Sequence, residues 1–166
     1  RAWHAIEAEV LAREWERSHD PWNAINASSH WRKAAKPTSA LGLTNEALAK
    51  AGSDAKARSA LLTTRGGALR DLSNLDEAKA MGLEAHAFTP KDFRPCTLLG
   101  AVHIELGDLM GGREWYLKAE KLGADRHSID QDLRALLSRT SRSQRQRIIE
   151  FLIEHDPERF GWLLRK

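Results

Sequence analysis

Residues 62–85, LTTRGGALRDLSNLDEAKAMGLEA, and residues 96–119, CTLLGAVHIELGDLMGGREWYLKA, share one spacing. Leu62, Gly66, Leu69, Ala78 and Ala85 return as Cys96, Gly100, His103, Gly112 and Ala119, each 34 residues on. A fixed period of this length marks a helical hairpin stacked on copies of itself, because one hairpin alone cannot bury its apolar face. A weaker copy lies upstream. Ser28, Trp31, Ala40 and Ala47 reproduce the internal spacing of Gly66, Leu69, Ala78 and Ala85 at an offset of 38. Four extra residues therefore separate these two copies, and the expected place is a connecting loop within residues 51–57, where an insertion costs little. Three copies are about the minimum for a stable stack.

Small residues at the repeated positions have a physical reason. Gly66, Gly100, Ala78 and Gly112 are expected where the two helices of a hairpin cross near the lower end of the usual interaxial range of about 8–10 Å. Glycine within a helix costs roughly 1 kcal/mol against alanine. The pairs Gly66-Gly67 and Gly111-Gly112 therefore need a compensating close approach.

These residues resemble the tetratricopeptide repeat family, whose pattern runs large residue, leucine, small residue, aromatic, glycine, alanine, aromatic, alanine, proline. Cys96, Leu99, Gly100, His103, Gly107, Gly112, Tyr116 and Ala119 follow that order, with Cys96 where the family prefers tryptophan. Leu62, Gly66, Leu69, Ala78, Ala85 and Pro90 follow it in the preceding copy, and Trp31, Ala40 and Ala47 in the first. The departures are Arg65 at the usual leucine, Gly82 at the usual aromatic and Ala124 at the usual proline. The resemblance implies an all-α antiparallel helix-hairpin solenoid, a right-handed superhelix, with three hairpins over residues 21–125. An N-terminal helix over 1–20 precedes it, and a basic capping segment over 126–166 follows.

The coarse pattern predicts helices over 3–17, 21–35, 38–51, 55–72, 75–88, 92–106, 109–122, 128–139, 142–154 and 157–165. Trp3, Ile6, Val10, Leu11 and Trp15 form one stripe of the first. Pro21, Pro37, Pro95 and Pro157 fall in first turns, where the missing N–H costs nothing. Ser128-x-x-Gln131 reads as a capping box. Ile129, Leu133, Leu136 and Leu137, then Ile148, Ile149, Leu152 and Ile153, keep apolar faces, with Phe160, Trp162 and Leu163 folded back on them. The rival reading of that apolar surface is a dock for neighbouring sequence. No β-branched alternation or hairpin-turn dipeptide signals a strand.

At 166 residues the chain is one domain or one continuous solenoid. It begins with Arg1, which reads as a processed product or a piece of something longer. No apolar run approaches the roughly 18 residues needed to cross a membrane, and no signal peptide is visible. One cysteine, Cys96, excludes an internal disulfide and points to a reducing compartment, with the cytoplasm as the default.

Charge is uneven. The formal net charge is +3, yet residues 1–125 balance at 17 basic and 17 acidic side chains, so the surplus lies beyond. There Arg134, Arg139, Arg142, Arg145 and Arg147 run without an intervening acid. Arg139, Arg142, Arg145 and Arg147 form a candidate nucleic-acid contact through phosphate neutralisation; the alternative is the solvated start of a helix. No zinc-finger spacing, aromatic RNA-recognition motif or Gly-rich phosphate loop accompanies them.

Catalysis finds little support in this segment alone, and the chemistry of any longer parent enzyme is expected outside these residues. Among seven histidines no pair has the i, i+4 spacing of a helical zinc site with its intervening glutamate. His103 is expected to pack in a hairpin core and Cys96 to be buried and inert. His127 and Asp130 share a helical turn, Asp130 and Asp132 face different sides, and Glu154, Asp156 and Glu158 read as a solvated loop. No cofactor is implied. The six tryptophans read mainly as core, with Trp115 beside Tyr116 directed outward.

In the family it resembles, the first helix of each hairpin lines a concave groove for an extended peptide or partner helix. Carried over, the partner-binding residues are Asn26, Ser29 and Lys33, then Thr63, Gly67 and Arg70, then Thr97, Ala101 and Ile104. Lys33 and Arg70 would pair with acidic groups of the ligand. The lysine-and-asparagine set of chaperone-binding members is not reproduced. The expected function is protein–protein interaction, as an adaptor or regulatory part of a longer protein. Nucleic-acid association is the alternative, and self-association through Trp3, Ile6 and Val10 is a further option.

Overall fold

Apolar spacing of three and four residues runs almost unbroken along the chain, and helices form wherever it does. The computed structural model describes residues 1–164. Its helices are α1 (Ala2–Ser18), α2 (Pro21–Lys33), α3 (Pro37–Lys50), α4 (Ala55–Asp71), α5 (Leu75–Phe88), α6 (Phe93–Glu105), α7 (Leu109–Lys121), α8 (Arg126–Arg139), α9 (Arg142–His155) and α10 (Pro157–Phe160). A 3₁₀ turn, Gly161–Leu164, replaces the end of the helix expected over 157–165, whose last residue lies outside the described residues. Among the described residues there is no strand, and no helix is long and apolar enough to cross a membrane.

The helices pack as successive antiparallel hairpins, α2 with α3, α4 with α5 and α6 with α7. The first helices also stack from hairpin to hairpin, α2 on α4, α4 on α6 and α6 on α8. This makes them the inner layer. α4 buries ten residues and α6 nine, whereas α5 and α7 bury three each, so the first helices are enclosed on several sides.

The small repeated residues sit at the crossings. Ala40, Ala47, Ala78, Ala85 and Ala119 are fully buried. A Cβ on Gly66 would stand 2.6 Å from Leu98 Cδ2, and one on Gly100 would stand 2.6 Å from the Tyr116 ring. The Leu98 methyl belongs to the next hairpin; within a hairpin the close backbone approach is at Gly112, where a Cβ would stand 2.9 Å from the Gly100 carbonyl oxygen.

The four-residue insertion is not in a loop. The α3–α4 and α5–α6 connections are equally long, at residues 51–54 and 89–92, while α4 has 17 residues against 13 in α6. Four residues close to one turn of helix, so the extra segment Ala55–Arg58 extends α4 without changing which face points inward. The Asp54 carboxylate caps it by accepting from the Lys56 and Ala57 amides. These residues are helix-favouring, and Ala57 is buried, so helix is cheaper here than an ordered loop.

A second correction concerns α8. Its cap is Asp125, which accepts from the Ser128 amide, while Gln131 bonds His127. The capping box lies one helix later, where Ser141 and Gln144 satisfy each other's backbone. The turns within the three hairpins each need one left-handed residue: Ala35 at φ 61°, Ser73 at φ 63° and Gly107 at φ 88°. The offsets are again 38 and 34, and only the last of the three is a glycine.

Beyond α7 the core is continuous. Tyr116, Ile129, Leu133, Leu136, Ile148, Leu152 and Phe160 form one cluster, with Trp162 and Leu163 packed on its edge as expected. α10 is tied down by ion pairs as well. Arg159 donates to Glu120 at 2.5 Å and lies 2.8 Å from Asp130, and Arg113 binds Asp156. Asp156 is thus an ion-pair partner and not part of a solvated loop.

Candidate functional site

Along the C-terminal ends of the stacked first helices runs a set of arginine–carboxylate pairs with the period of the repeat. Arg32 at the end of α2 donates through Nε to Asp71 of α4 at 2.7 Å. Arg70 of α4 donates through Nε to Glu105 of α6 at 2.7 Å and through Nη1 to Asp132 of α8 at 3.0 Å. Arg32 and Arg70 are 38 residues apart, and Asp71 and Glu105 are 34 apart, so the two rungs occupy equivalent places. Each rung joins one hairpin to the next.

Arg70 is the more enclosed, its side chain 7% exposed. Burial opposes its charge, but Asp132 and Glu105 outweigh burial and hold its proton above the ordinary arginine range. Asp132 also accepts a hydrogen bond from the buried Tyr116 hydroxyl at 3.0 Å. Burial, with Asp132 adding to it, raises the Tyr116 phenol well above its usual pKa. The result is a closed network across α4, α6, α7 and α8.

This network changes the expected groove. Gly67, Arg70, Ala101 and Ile104 are buried, so they cannot present a surface to a ligand as expected. The Arg32 guanidinium lies across Gly67, Arg70 is spent on Glu105 and Asp132, and Ala101 and Ile104 belong to the core beneath α8. At the true repeat offset the counterpart of Arg70 is Arg32, not Lys33, and that of Thr63 is Ile25, not Asn26. Asn26 and Lys33 are exposed, while Ser29, Thr63 and Thr97 are half-buried. Thr63 and Thr97 share the same place on α4 and α6, each hydroxyl bonded to the carbonyl four residues back.

Beside the pairs lies a cleft of about 430 Å³. Its walls are the C-terminal ends of α4, α6 and α8 and the starts of α5, α7 and α9. Arg70, Arg139 and Arg147 supply charge, Thr140 and Gln144 polar groups, and Leu75, Ile104 and Ile148 apolar surface.

The C-terminal arginines do not form one surface. Arg139 and Arg147 line this cleft, whereas Arg134 and Arg145 line another with Trp162. Arg134 stacks over the Trp162 ring at 4.5 Å, and Arg145 donates to the Leu137 carbonyl. Arg142 is exposed at the first position of α9.

Other groups have structural partners. His103 is buried and bonds Asp108 at 2.8 Å, and Cys96 is buried with His86 Nδ1 3.6 Å away. Trp115 does not point freely outward; it is half-buried with its ring against His86 and Lys118. Asp130 and Asp132 face opposite sides as expected, but each binds an arginine, and His127 bonds Gln131 and not Asp130. Among the described residues no cluster of three or more His, Cys, Asp or Glu forms a metal site. Trp15 is core, whereas Trp3 and Trp22 are exposed. Trp3, Ile6 and Val10, at 60%, 60% and 49% exposure, form an open apolar strip on α1.

No protein-family model matches the chain, and no curated protein matches it. Among solved structures, it is similar to a tetratricopeptide repeat protein from Parabacteroides merdae at 18% identity and a TM-score of 0.55. The match covers 95% of this chain and 61% of the other, so the chain spans less than two thirds of that protein's length. The likeness is one of fold: the chain is an all-α helical-hairpin solenoid of the tetratricopeptide repeat type.

Proposed function

We propose that this chain is a protein-interaction module that takes an extended peptide or partner helix along its row of first helices, as an adaptor or regulatory part of a longer protein. The observation that carries this reading is the equivalent placement of the half-buried Thr63 and Thr97 on adjacent first helices, with the exposed Asn26 and Lys33 on α2 one position out of that register. Short hydroxyl side chains leave room for a ligand backbone, and their oxygens retain acceptor capacity. No residue here is assigned a catalytic role. The buried lone thiol of Cys96 supports a cytoplasmic setting.

The nucleic-acid alternative rests on the exposed Arg142 and Arg147. The division of the other arginines between two clefts leaves them little continuous track for a phosphate backbone. Partner capture from lysate, with and without nuclease, separates the readings when the native chain is compared with a Lys33→Glu, Thr63→Glu variant of unchanged helicity. A protein kept after nuclease and lost in the variant supports the groove. Partners that vanish with nuclease but tolerate the variant overturn it.

A further inference from the structure

The ion-pair series breaks at its third rung. The place 34 residues after Arg70 holds Ile104, and the place 34 after Glu105 holds Arg139. Where each earlier rung has an arginine reaching a carboxylate, this one has an aliphatic side chain below an arginine. Arg139 has only Glu105 within reach, at 3.8 Å, and that carboxylate already accepts from Arg70 at 2.7 Å. Arg147 lines the same cleft and makes no ion pair among the described residues.

The charges around the cleft can be assigned one by one. Asp71 is neutralised by Arg32, and Arg70 offsets one of the two charges of Glu105 and Asp132. Arg139, 3.8 Å from Glu105, offsets the other, which leaves Arg147 as the uncompensated charge of the cleft. Arg70 lies behind these two arginines, its guanidinium buried and held by Glu105 and Asp132.

The space is also informative. About 430 Å³ falls within the usual range for ligand sites, and it exceeds what a lone carboxylate fills. No aromatic ring lines it, so it offers no platform on which a nucleobase would stack. Leu75 and Leu109, both half-buried, suit an aliphatic side chain, and Thr140 and Gln144 suit a peptide amide.

Resting on the peptide-binding reading above, we propose that this cleft anchors an acidic–aliphatic segment of a protein partner. A Glu or Asp side chain of the partner sits between Arg139 and Arg147, and its aliphatic neighbour rests on the half-buried Leu75 and Leu109. The ligand carboxylate completes the rung that the chain leaves open.

The test is an NMR titration of the full ¹⁵N-labelled chain with N-acetyl-Leu-Glu-Leu-amide, its Gln analogue and inorganic phosphate. The expected result is saturable shifts at the Gly107, Gln144 and Ile148 amides with the Glu peptide and much weaker ones with the Gln peptide. Affinity falls about two- to fivefold in Arg147→Gln, as for loss of one exposed ion pair, and stays unchanged in Lys121→Gln. Equal response to the Glu and Gln peptides, or response to phosphate alone, overturns the anchor. Shifts confined to Lys33, Thr63 and Thr97 also overturn it while leaving the groove reading standing. No shift anywhere overturns the anchor, and the groove reading is then judged by partner capture.

Discussion

At the C-terminal end Phe160 is fully buried and Arg159 binds two carboxylates, whereas at the N-terminal end Trp3, Ile6 and Val10 face solvent. The cores behind the two ends differ in the same sense. Behind α10 lie Tyr116, Ile129, Leu133, Leu136, Ile148 and Leu152, while behind α1 the cluster is Trp15, Ala24, Ile25, Ala47 and Leu61. A helical stack either covers the apolar face of a hairpin or leaves it for a neighbour. Here a short helix and ion pairs cover the face behind α9, while α1 leaves its strip open. The difference lies in particular residues and not in the repeat.

The largest effect expected is at the closed end. Phe160→Ala should cost about 3–5 kcal/mol in urea unfolding, as a large buried ring replaced by a cavity. Trp3→Ala should stay within about 0.5 kcal/mol, as a surface change. Comparable losses would mean that the α1 strip is already covered in solution, and concentration dependence of the midpoint would identify a second copy as the cover.

The two rungs provide a sharper comparison because they differ in burial and in the number of carboxylates held, one by Arg32 and two by Arg70. Arg70→Met should cost about 2–4 kcal/mol, since Glu105 and Asp132 lose their shared partner and Tyr116 loses the order of its acceptor. Arg32→Met should cost less than about 1 kcal/mol, because water screens the more exposed Arg32–Asp71 pair. Chemical denaturation of each variant reads the difference. Equal costs would show that both rungs act through packing and not charge.

The smallest effect is at the turns. Ala35 holds a left-handed conformation that glycine adopts without the Cβ penalty. Ala35→Gly should therefore raise stability by about 0.5 kcal/mol, the relieved strain less the added unfolded-state entropy. Thermal melting of this variant checks it. A loss would place the value of Ala35 in its packing.

The hairpins were legible because their signal is local and periodic. Gly66, Gly100, Ala78 and Gly112 carry it directly, since close helix crossing admits few other residues. The same holds for Pro21, Pro37 and Pro157 at helix starts. The candidate groove was only partly legible. Whether Gly67 or Ala101 faces a ligand depends on what crosses it, and Arg32 and α8 come from elsewhere in the chain. The ion-pair series did leave a trace, Arg32 and Arg70 at offset 38 and Asp71 and Glu105 at offset 34. A reading tuned to apolar and small positions passes over charged ones that repeat with the same period.

The extra turn at the start of α4 sets a rule for which insertions and deletions this architecture can absorb. Adding four residues at its start advances α4 by one turn and overshoots by only about 40°, so the chain from α3 enters the helix on nearly the same side. Adding two would move that entry by about 200°, to the opposite side of the helix. Length variation among descendants of such a chain should thus come in steps of three or four residues within the helices, with finer changes confined to the connections. A designer lengthening one hairpin to reach a different ligand would work under the same arithmetic.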